Sequence, residues 1–203
     1  MVIYRAWTHT TAVNAARKFL AAPPPRRAAT RRLMEEIASA EPAARKRATD
    51  LARLVSARQP GIFTEWTDLL IDILAELRAD QTPETEWQSA GYLALAAAHN
   101  IVTPAQRTRL ANLLRPMLTD QRTAIRATAL EAFSRTAAPD PALRNEALAA
   151  LEEALTSDKP ATRNRARQML TLLLQHSATK SESSRKVPIA SRAKVSSKGK
   201  GPR

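Results

Sequence analysis

Prolines divide this chain into segments of similar length, and the placement of these prolines restricts the fold more than any other feature. Within each segment, apolar residues recur at i, i+3, i+4 and i+7, the spacing of an amphipathic helix. Several prolines stand where a first helical turn would begin, a position that tolerates proline. The pattern predicts an all-α chain with eight helices and no strand, at 29–40, 42–58, 62–78, 84–99, 104–118, 121–137, 141–156 and 160–175.

The eight segments form pairs, and the pairs repeat with a period near 40 residues. Matching anchor positions occur in the second helix of each pair, at spacings of 42, 39 and 37 residues: Arg45, Trp87, Arg126 and Arg163. Three residues after each anchor stands an alanine, the small side chain expected where two helices approach closely. Two helices per unit at this period predict a stacked helical solenoid.

Two segments, IRATALEAF at 125–133 and TRNRARQML at 162–170, resemble the second helix of a HEAT repeat. Asp120 and Asp158, in the turns before these segments, fit the same pattern. The resemblance implies an α-α superhelix (HEAT-like solenoid) of about four helix pairs, in which the second helices line a concave face. It does not imply one function, because such arrays serve many partners.

The resemblance covers about residues 29–176, but not evenly. It is weakest in the second pair, where Trp87 replaces the usual arginine and Gly91 lies within the helix. Pro116 falls inside the first helix of the third pair, where proline would cost roughly 3 kcal/mol in an isolated helix. Because the first helices of HEAT repeats are often kinked, we interpret Pro116 as a bend.

Charge is concentrated at the two ends of the chain. The formal charge is +13; residues 1–34 hold seven Lys or Arg and no acid, and residues 178–203 hold eight against one acid. The residues between them, 35–177, carry a net charge of −1. A near-neutral middle argues against a body that coats nucleic acid over a wide face, but it leaves room for a tail that does so.

Three regions follow from these patterns. Residues 1–28 are predicted to be a basic N-terminal leader with one short helix at 10–22 and a proline spacer. Residues 29–177 form the repeat domain. Residues 178–203 are rich in Ser and Lys and bury too little apolar area to offset their ordering entropy, so we expect a disordered basic tail.

Composition excludes several chemistries. The absence of cysteine rules out a disulfide scaffold, a thiolate metal site and a cysteine nucleophile, and four glycines are too few for a glycine-rich phosphate loop. The three histidines, His9, His99 and His176, are far apart and form no metal-binding spacing. We therefore expect no metal, no cofactor and no catalysis.

No apolar run reaches 18 residues, so no membrane span is expected, and the N-terminus lacks a secretory core. A cytoplasmic location is predicted, with an organellar transit peptide as the alternative for the acid-free N-terminus. The high Ala and Arg content suggests a GC-rich bacterial genome.

Helical-wheel arithmetic at 100° per residue places the side chains expected on the concave face. They form a groove that is basic at both ends with an aromatic pair in the middle, and it suits an acidic peptide, an anionic loop or a nucleic-acid backbone. Alternatively, the anchor arginines pair with neighbouring acids, and the aromatic residues pack between repeats. The candidate binding residues are Arg45, Lys46, Thr49, Arg53, Trp87, Gln88, Tyr92, Arg122, Arg126, Arg163 and Arg167.

The first helix of the second pair carries the opposite charge, in a stripe formed by Glu65, Asp68, Asp72 and Glu76. We interpret this stripe as the solvent side of an amphipathic helix, with an acidic docking strip as the alternative.

The favoured function is a non-catalytic scaffold or adaptor that binds a protein partner through the concave face. The alternative is a nucleic-acid-associated protein that uses the basic tail and the groove. A HEAT-like DNA glycosylase is disfavoured, because no Asp on a second helix accompanies Trp87. The identity of the partner and the oligomeric state stay open.

Overall fold

The computed structural model of the chain describes residues 7–23, 27–39, 41–79 and 84–185. These residues form helices and turns with no strand among them, so the prediction of an all-helical chain is confirmed over the described ranges. The helices are α1 (His9–Ala21), α2 (Arg27–Ile37), α3 (Pro42–Arg58), α4 (Thr67–Ala79), α5 (Glu84–Asn100), α6 (Pro104–Leu114), α7 (Thr123–Ala137), α8 (Pro141–Leu155) and α9 (Pro160–Arg185).

Local capping explains why most helices begin at or within two residues of the predicted start. Helix α4 is the exception, because it begins at Thr67, after a 3₁₀ turn over Thr64–Trp66, and not at residue 62. Four of them, α3, α6, α8 and α9, begin with a proline, whose missing N–H is no loss in the first turn. Before α6, Thr103 and Gln106 form a capping box in which each side chain accepts a hydrogen bond from the other residue's backbone N–H. Glu41 and Asp140 cap α3 and α8 by accepting from the free N–H groups of the first turn.

Pro116 ends α6 rather than bending it. The α-helix stops at Leu114, and the chain continues in a 3₁₀ turn over Arg115–Thr119. Proline has no N–H to donate to the carbonyl four residues back, so the tighter turn replaces the α-helix at this point. Met117 and Leu118 in this turn remain buried and extend the apolar side of α6.

Helix α1, which the sequence analysis assigned to a leader, packs against α3 as part of the folded body. Ala12 and Ala16 are buried, and the ring of Phe19 meets the ring of Phe63 edge-on, with 6.2 Å between centroids. The packed region therefore begins before residue 29, with α1 beside the first pair. Residues 1–6 and 24–26 of the predicted leader lie outside the described residues.

Helix α9 is longer than predicted, because it continues to Arg185, ten residues beyond the expected end. No proline interrupts it before Pro188, and each added helical residue contributes a backbone hydrogen bond. Residues 186–203 of the predicted tail lie outside the described residues. In the part of the chain that the structure describes, no helix combines the length and the apolarity needed to cross a bilayer.

The helices pack in chain order. Each even-numbered helix contacts the odd-numbered helix that follows it, and each odd-numbered helix also contacts the next odd-numbered one. We call α3, α5, α7 and α9 the second-helix row, with α1 at one end. The four alanines that follow the anchors by three residues are all buried in this row: Ala48, Ala90, Ala129 and Ala166.

A buried asparagine ties the loop after α3 to α5. The side chain of Asn100 accepts from the backbone N–H of Phe63 at 2.9 Å and donates to the hydroxyl of Ser56 at 3.0 Å. Its backbone carbonyl accepts from the Thr67 hydroxyl at 3.0 Å. Because each of these polar groups is satisfied inside the protein, the network holds α3, α4 and α5 in one arrangement.

The glycine within α5 marks a close approach between α5 and α7. A Cβ atom placed on Gly91 would lie 3.4 Å from Cγ2 of Thr128, which is ordinary van der Waals contact. The space at this position therefore admits one methyl group but not a larger side chain.

We predict that Gly91→Ala stabilises the protein by about 0.5–1 kcal/mol, because alanine gains helix propensity without a clash. Gly91→Leu should destabilise it by about 1–3 kcal/mol through overpacking. Urea unfolding measures both, and Ala149→Gly on the exposed side of α8 calibrates the propensity change alone. A destabilising Gly91→Ala would show that α5 and α7 lie closer than described.

Candidate functional site

Two of the three anchor arginines bind backbone carbonyls of their own repeat. The guanidinium of Arg45 donates to the carbonyl of Ser39 at 3.1 and 2.8 Å, and that of Arg163 donates to the carbonyl of Ser157 at 2.6 Å. Arg144 makes the equivalent bond to the carbonyl six residues before it. Each arginine thus satisfies an acceptor just beyond the end of the preceding helix. Arg45 and Arg163 therefore stabilise the turn between two helices.

Arg126, the third arginine anchor, joins α7 to α8 instead. Its Nη2 lies 2.9 Å from Oε1 of Glu153, while its Nε is buried and has no hydrogen-bond partner among the described residues. Arg167, which was expected on the same face, is exposed and donates to the side chain of Asn164 at 3.1 Å.

An arginine side chain packs against the ring of the second anchor, Trp87. The guanidinium carbon of Arg122 lies 5.0 Å from the ring centroid, a cation–π contact between α5 and the start of α7. Arg122 also binds both carboxylate oxygens of Asp120, and these hydrogen bonds lower the pKa of Asp120. A polar cavity of about 320 Å³ adjoins the stack, lined by Gln88, Gln121, Arg122, Thr123, Ala124 and Ile125.

The prediction that Thr49 points towards solvent is wrong. Thr49 is fully buried, and its hydroxyl donates to the carbonyls of Arg45 and Lys46, both at 3.0 Å. Helix α3 contacts α1, α2 and α5 at once, so its buried arc is wider than that of a helix with one neighbour. Thr49 lies within this wider arc and is removed from the candidate surface.

Lys46 faces solvent in part but is engaged by an acid one turn on. Its Nζ lies 3.2 Å from Oδ2 of Asp50, and the same oxygen accepts from the indole Nε1 of Trp7 at 3.0 Å. Asp50 stands five residues after the anchor of α3. Through it, the face of the second-helix row extends to α1.

The other predicted aromatic residue, Tyr92, also stands five residues after its anchor. The guanidinium carbon of Arg53, on α3, lies 4.9 Å from the centroid of the Tyr92 ring. The Nε of Arg53 is buried and has no hydrogen-bond partner among the described residues. This contact joins α3 to α5, and it brings together two of the predicted binding residues.

The third residue at this position is Glu131, which the sequence analysis did not select. It is only 8% exposed, and its carboxylate binds two arginines. Arg135, one turn on in α7, donates from Nε and Nη2 at 3.1 and 2.9 Å, and Arg165 of α9 donates to the other oxygen. The buried carboxylate is therefore paired on both sides, and the pairing joins α7 to α9.

His99 lies among these groups on α5. Its pKa is lowered from the ordinary 6.5 to about 4, first by burial and then by the positive charges of Arg135 and Arg53, whereas Glu131 acts in the opposite direction. The imidazole is consequently neutral at pH 7.

These contacts define a cluster that runs across four consecutive second helices. We call it the cross-row cluster; its members are Arg53, Tyr92, His99, Glu131, Arg135 and Arg165. Only Arg53 and Tyr92 were among the predicted residues. The missed signal is the position five residues after each anchor, where Asp50, Tyr92 and Glu131 each contact a neighbouring helix of the row.

The acidic stripe on α4 is partly engaged between first helices. Arg109 of α6 binds Asp68 at 3.1 Å and also binds Asp72, and Gln106 donates to Asp68 at 3.1 Å. These contacts tie α4 to α6 through Asp68 and Asp72. Across the described ranges, no three His, Cys, Asp or Glu side chains lie where they could hold a metal ion.

The pKa of His99 predicts a loss of stability in mild acid. Its pKa is lowered in the folded state, so the unfolded chain binds more protons than the folded protein between pH 6.5 and about 4. The contribution of neutral His99 to the free energy of unfolding is therefore complete above pH 6.5 and is lost as the pH falls towards 4. Its size is on the order of 1–2 kcal/mol after allowance for solvent screening.

Urea unfolding between pH 7.5 and 4 measures this dependence. His99→Gln should flatten the curve in that window, whereas His9→Gln on the exposed side of α1 should keep the slope of the unsubstituted protein. An unchanged slope in His99→Gln would contradict the environment described for the imidazole.

Comparison with known proteins supplies no relative for this arrangement. No family model, no curated protein and no solved structure matches the chain. The HEAT resemblance of residues 125–133 and 162–170 therefore stays a prediction.

Proposed function

We propose that this chain is a non-catalytic helical-repeat scaffold of the HEAT-like solenoid type, which binds a protein partner through the face of its second-helix row. The observation that carries the proposal is the cross-row cluster. Its side chains come from α3, α5, α7 and α9. They pair between α3 and α5 and between α7 and α9, and His99 of α5 lies where the charges of Arg135 and Glu131 of α7 act on it. Apart from Glu131, they remain partly open to solvent.

The residue types on this face favour a macromolecular partner. Arginine, tyrosine and tryptophan are enriched at the centres of protein interfaces, where large side chains with few alternative conformations contribute most of the binding energy. Here Arg53 and Tyr92 hold each other, as do Arg122 and Trp87. Because these side chains are ordered before binding, they lose less conformational entropy when a partner docks on them.

The same pairing disfavours catalysis on this face. A general base must lie within hydrogen-bonding reach of the proton that it removes. The carboxylate of Glu131 is occupied by two arginines, and that of Asp50 is occupied by Lys46 and Trp7. These acids therefore serve to hold neighbouring helices together.

The solenoid part of the proposal is supported by the order of packing. Each pair contacts the next pair along the chain, and the contacts run through the second helices from α1 to α9. In such an array each unit covers the apolar side of its neighbour, and one surface made of equivalent positions is left for partners. Two members of the cross-row cluster, Tyr92 and Glu131, occupy one such equivalent position, five residues after their anchors.

Site-specific photo-crosslinking in the cells that produce the protein tests this function. Benzoylphenylalanine is introduced at Gln88 or Gln168, exposed positions of the second-helix row, and at Asn145 or Ala149, exposed positions of α8, as matched controls. We expect discrete adducts from the row positions that protease digests and nuclease does not, at several-fold higher yield than from α8.

Two outcomes would contradict the proposal. Adducts that form equally from α8 would show that the second-helix row is not the binding face. Adducts that nuclease removes would favour the nucleic-acid alternative, and deletion of residues 178–203 would then show whether the basic tail is the main contact.

A further inference from the structure

The charges of the cross-row cluster do not balance. It contains three arginines and one glutamate, and His99 adds no charge at pH 7 because its pKa is about 4. Glu131 binds Arg135 and Arg165 together, so one carboxylate serves two guanidinium groups. The excess positive charge lies on the middle of the row, where α3, α5 and α7 meet.

Arg53 is the cation without an anion in this cluster. Among the described residues, no carboxylate lies within ion-pair distance of it, and the group that it contacts is the ring of Tyr92. Its Nε is buried, whereas the side chain as a whole is half-buried. A half-buried guanidinium gains more from an anion than an exposed one does, because solvent screens the attraction less.

The Tyr92 ring fixes the orientation of this group. A guanidinium stacked on an aromatic face lies flat and keeps its edge free, and that edge is the part that binds a carboxylate in two parallel hydrogen bonds. Lysine cannot reproduce this geometry, because its ammonium is a point charge on a flexible stem.

We infer that the partner presents an acidic segment, and that a glutamate or aspartate carboxylate of that segment binds the guanidinium of Arg53 where Tyr92 holds it. This inference rests on the proposed function and specifies the chemistry of the partner. Arg135, beside His99, supplies the second positive charge for a neighbouring acid of the same segment.

A nucleic-acid backbone fits these observations less well. Binding of single strands relies on aromatic rings that stack on bases, but here the ring of Tyr92 faces Arg53 and the ring of Trp87 faces Arg122. Residues 35–177 carry a net charge of −1, so the long-range attraction of a polyanion to this body is weak. A short acidic peptide needs only the local excess of charge.

Histidine NMR on the full-length protein tests the inference with an octaglutamate peptide as the probe. The three histidines report on different places in one spectrum: His99 in the cluster, His176 in α9 towards the basic tail, and His9 on α1. At pH 7 the glutamates of the peptide are ionised, and a carboxylate bound at Arg53 places a negative charge near His99, so the His99 resonances should shift as octaglutamate is added. An octaglutamine peptide should have no effect.

Matched variants assign the response to Arg53. Arg53→Gln should weaken the concentration dependence of the His99 shift by at least about tenfold, and Arg53→Lys should restore only part of it. Tyr92→Leu should weaken it several-fold by removing the ring that orients the guanidinium. Arg17→Gln, an exposed change on α1, should have no effect, and circular dichroism confirms that each variant is folded.

Three results would overturn the inference. The first is a shift of the His176 resonances alone on addition of octaglutamate, which would place acid binding at the tail. The second is a response of Arg53→Gln that is as full as that of the unsubstituted protein. The third is a shift of the His99 resonances by oligothymidylate at lower concentration than by octaglutamate. Photo-crosslinking separates this failure from failure of the proposed function. Protein adducts at Gln88 and Gln168 without a His99 response would reject the acidic segment alone, whereas their absence would reject the scaffold function.

Discussion

Close approach between consecutive second helices is the constraint on which the rest of this structure depends. The residue that follows each anchor by three positions is a buried alanine, and Gly91 brings α5 against Thr128 of α7. Small side chains let helix axes come near, but each buries little apolar surface. Larger apolar side chains on the first helices pack against the row from one side: Leu33, Ile73, Leu114 and Leu151 are all buried.

The arginines fall into two groups according to their position along the helices. Arginines near the helix starts satisfy carbonyls or acids of neighbouring turns, as Arg45, Arg163 and Arg122 do. Arginines further along the second helices reach a neighbouring second helix, as Arg53 and Arg165 do. The first group stabilises the repeat, and the second group shapes the surface that we assign to a partner. A near-neutral body can therefore carry a locally basic face.

Local signals made the helices predictable from the sequence. Proline positions, capping side chains and the apolar period act within a few residues, so the predicted starts of α3, α5, α6, α8 and α9 coincide with those of the structure. The exposed faces are harder to predict from the sequence, because they depend on how many neighbours each helix has. Thr49 is buried on α3 by this effect, and α1 joins the body through the contact of Trp7 with Asp50.

The cross-row contacts depend on the axial offset between consecutive helices, which the repeat spacing does not reveal. Arg53 stands eight residues after its anchor and meets Tyr92, five after the next. Glu131 stands five after its anchor and meets Arg165, two after the next. Both contacts join positions that differ by three, which is nearly one helical turn. Alignment of the repeats without this difference selects Arg53 and Tyr92 but overlooks Glu131 and Arg165.

Native-state hydrogen exchange tests the central role of the second-helix row most directly. Amides exchange slowest where opening requires the whole protein to unfold. If the row is the common support, the amides of α5 and α7, which have second helices on both sides, should be the slowest, and those of α2, α4, α6 and α8 should exchange through local opening. Slowest exchange in α4 and α6, with earlier exchange in α5 and α7, would contradict the account.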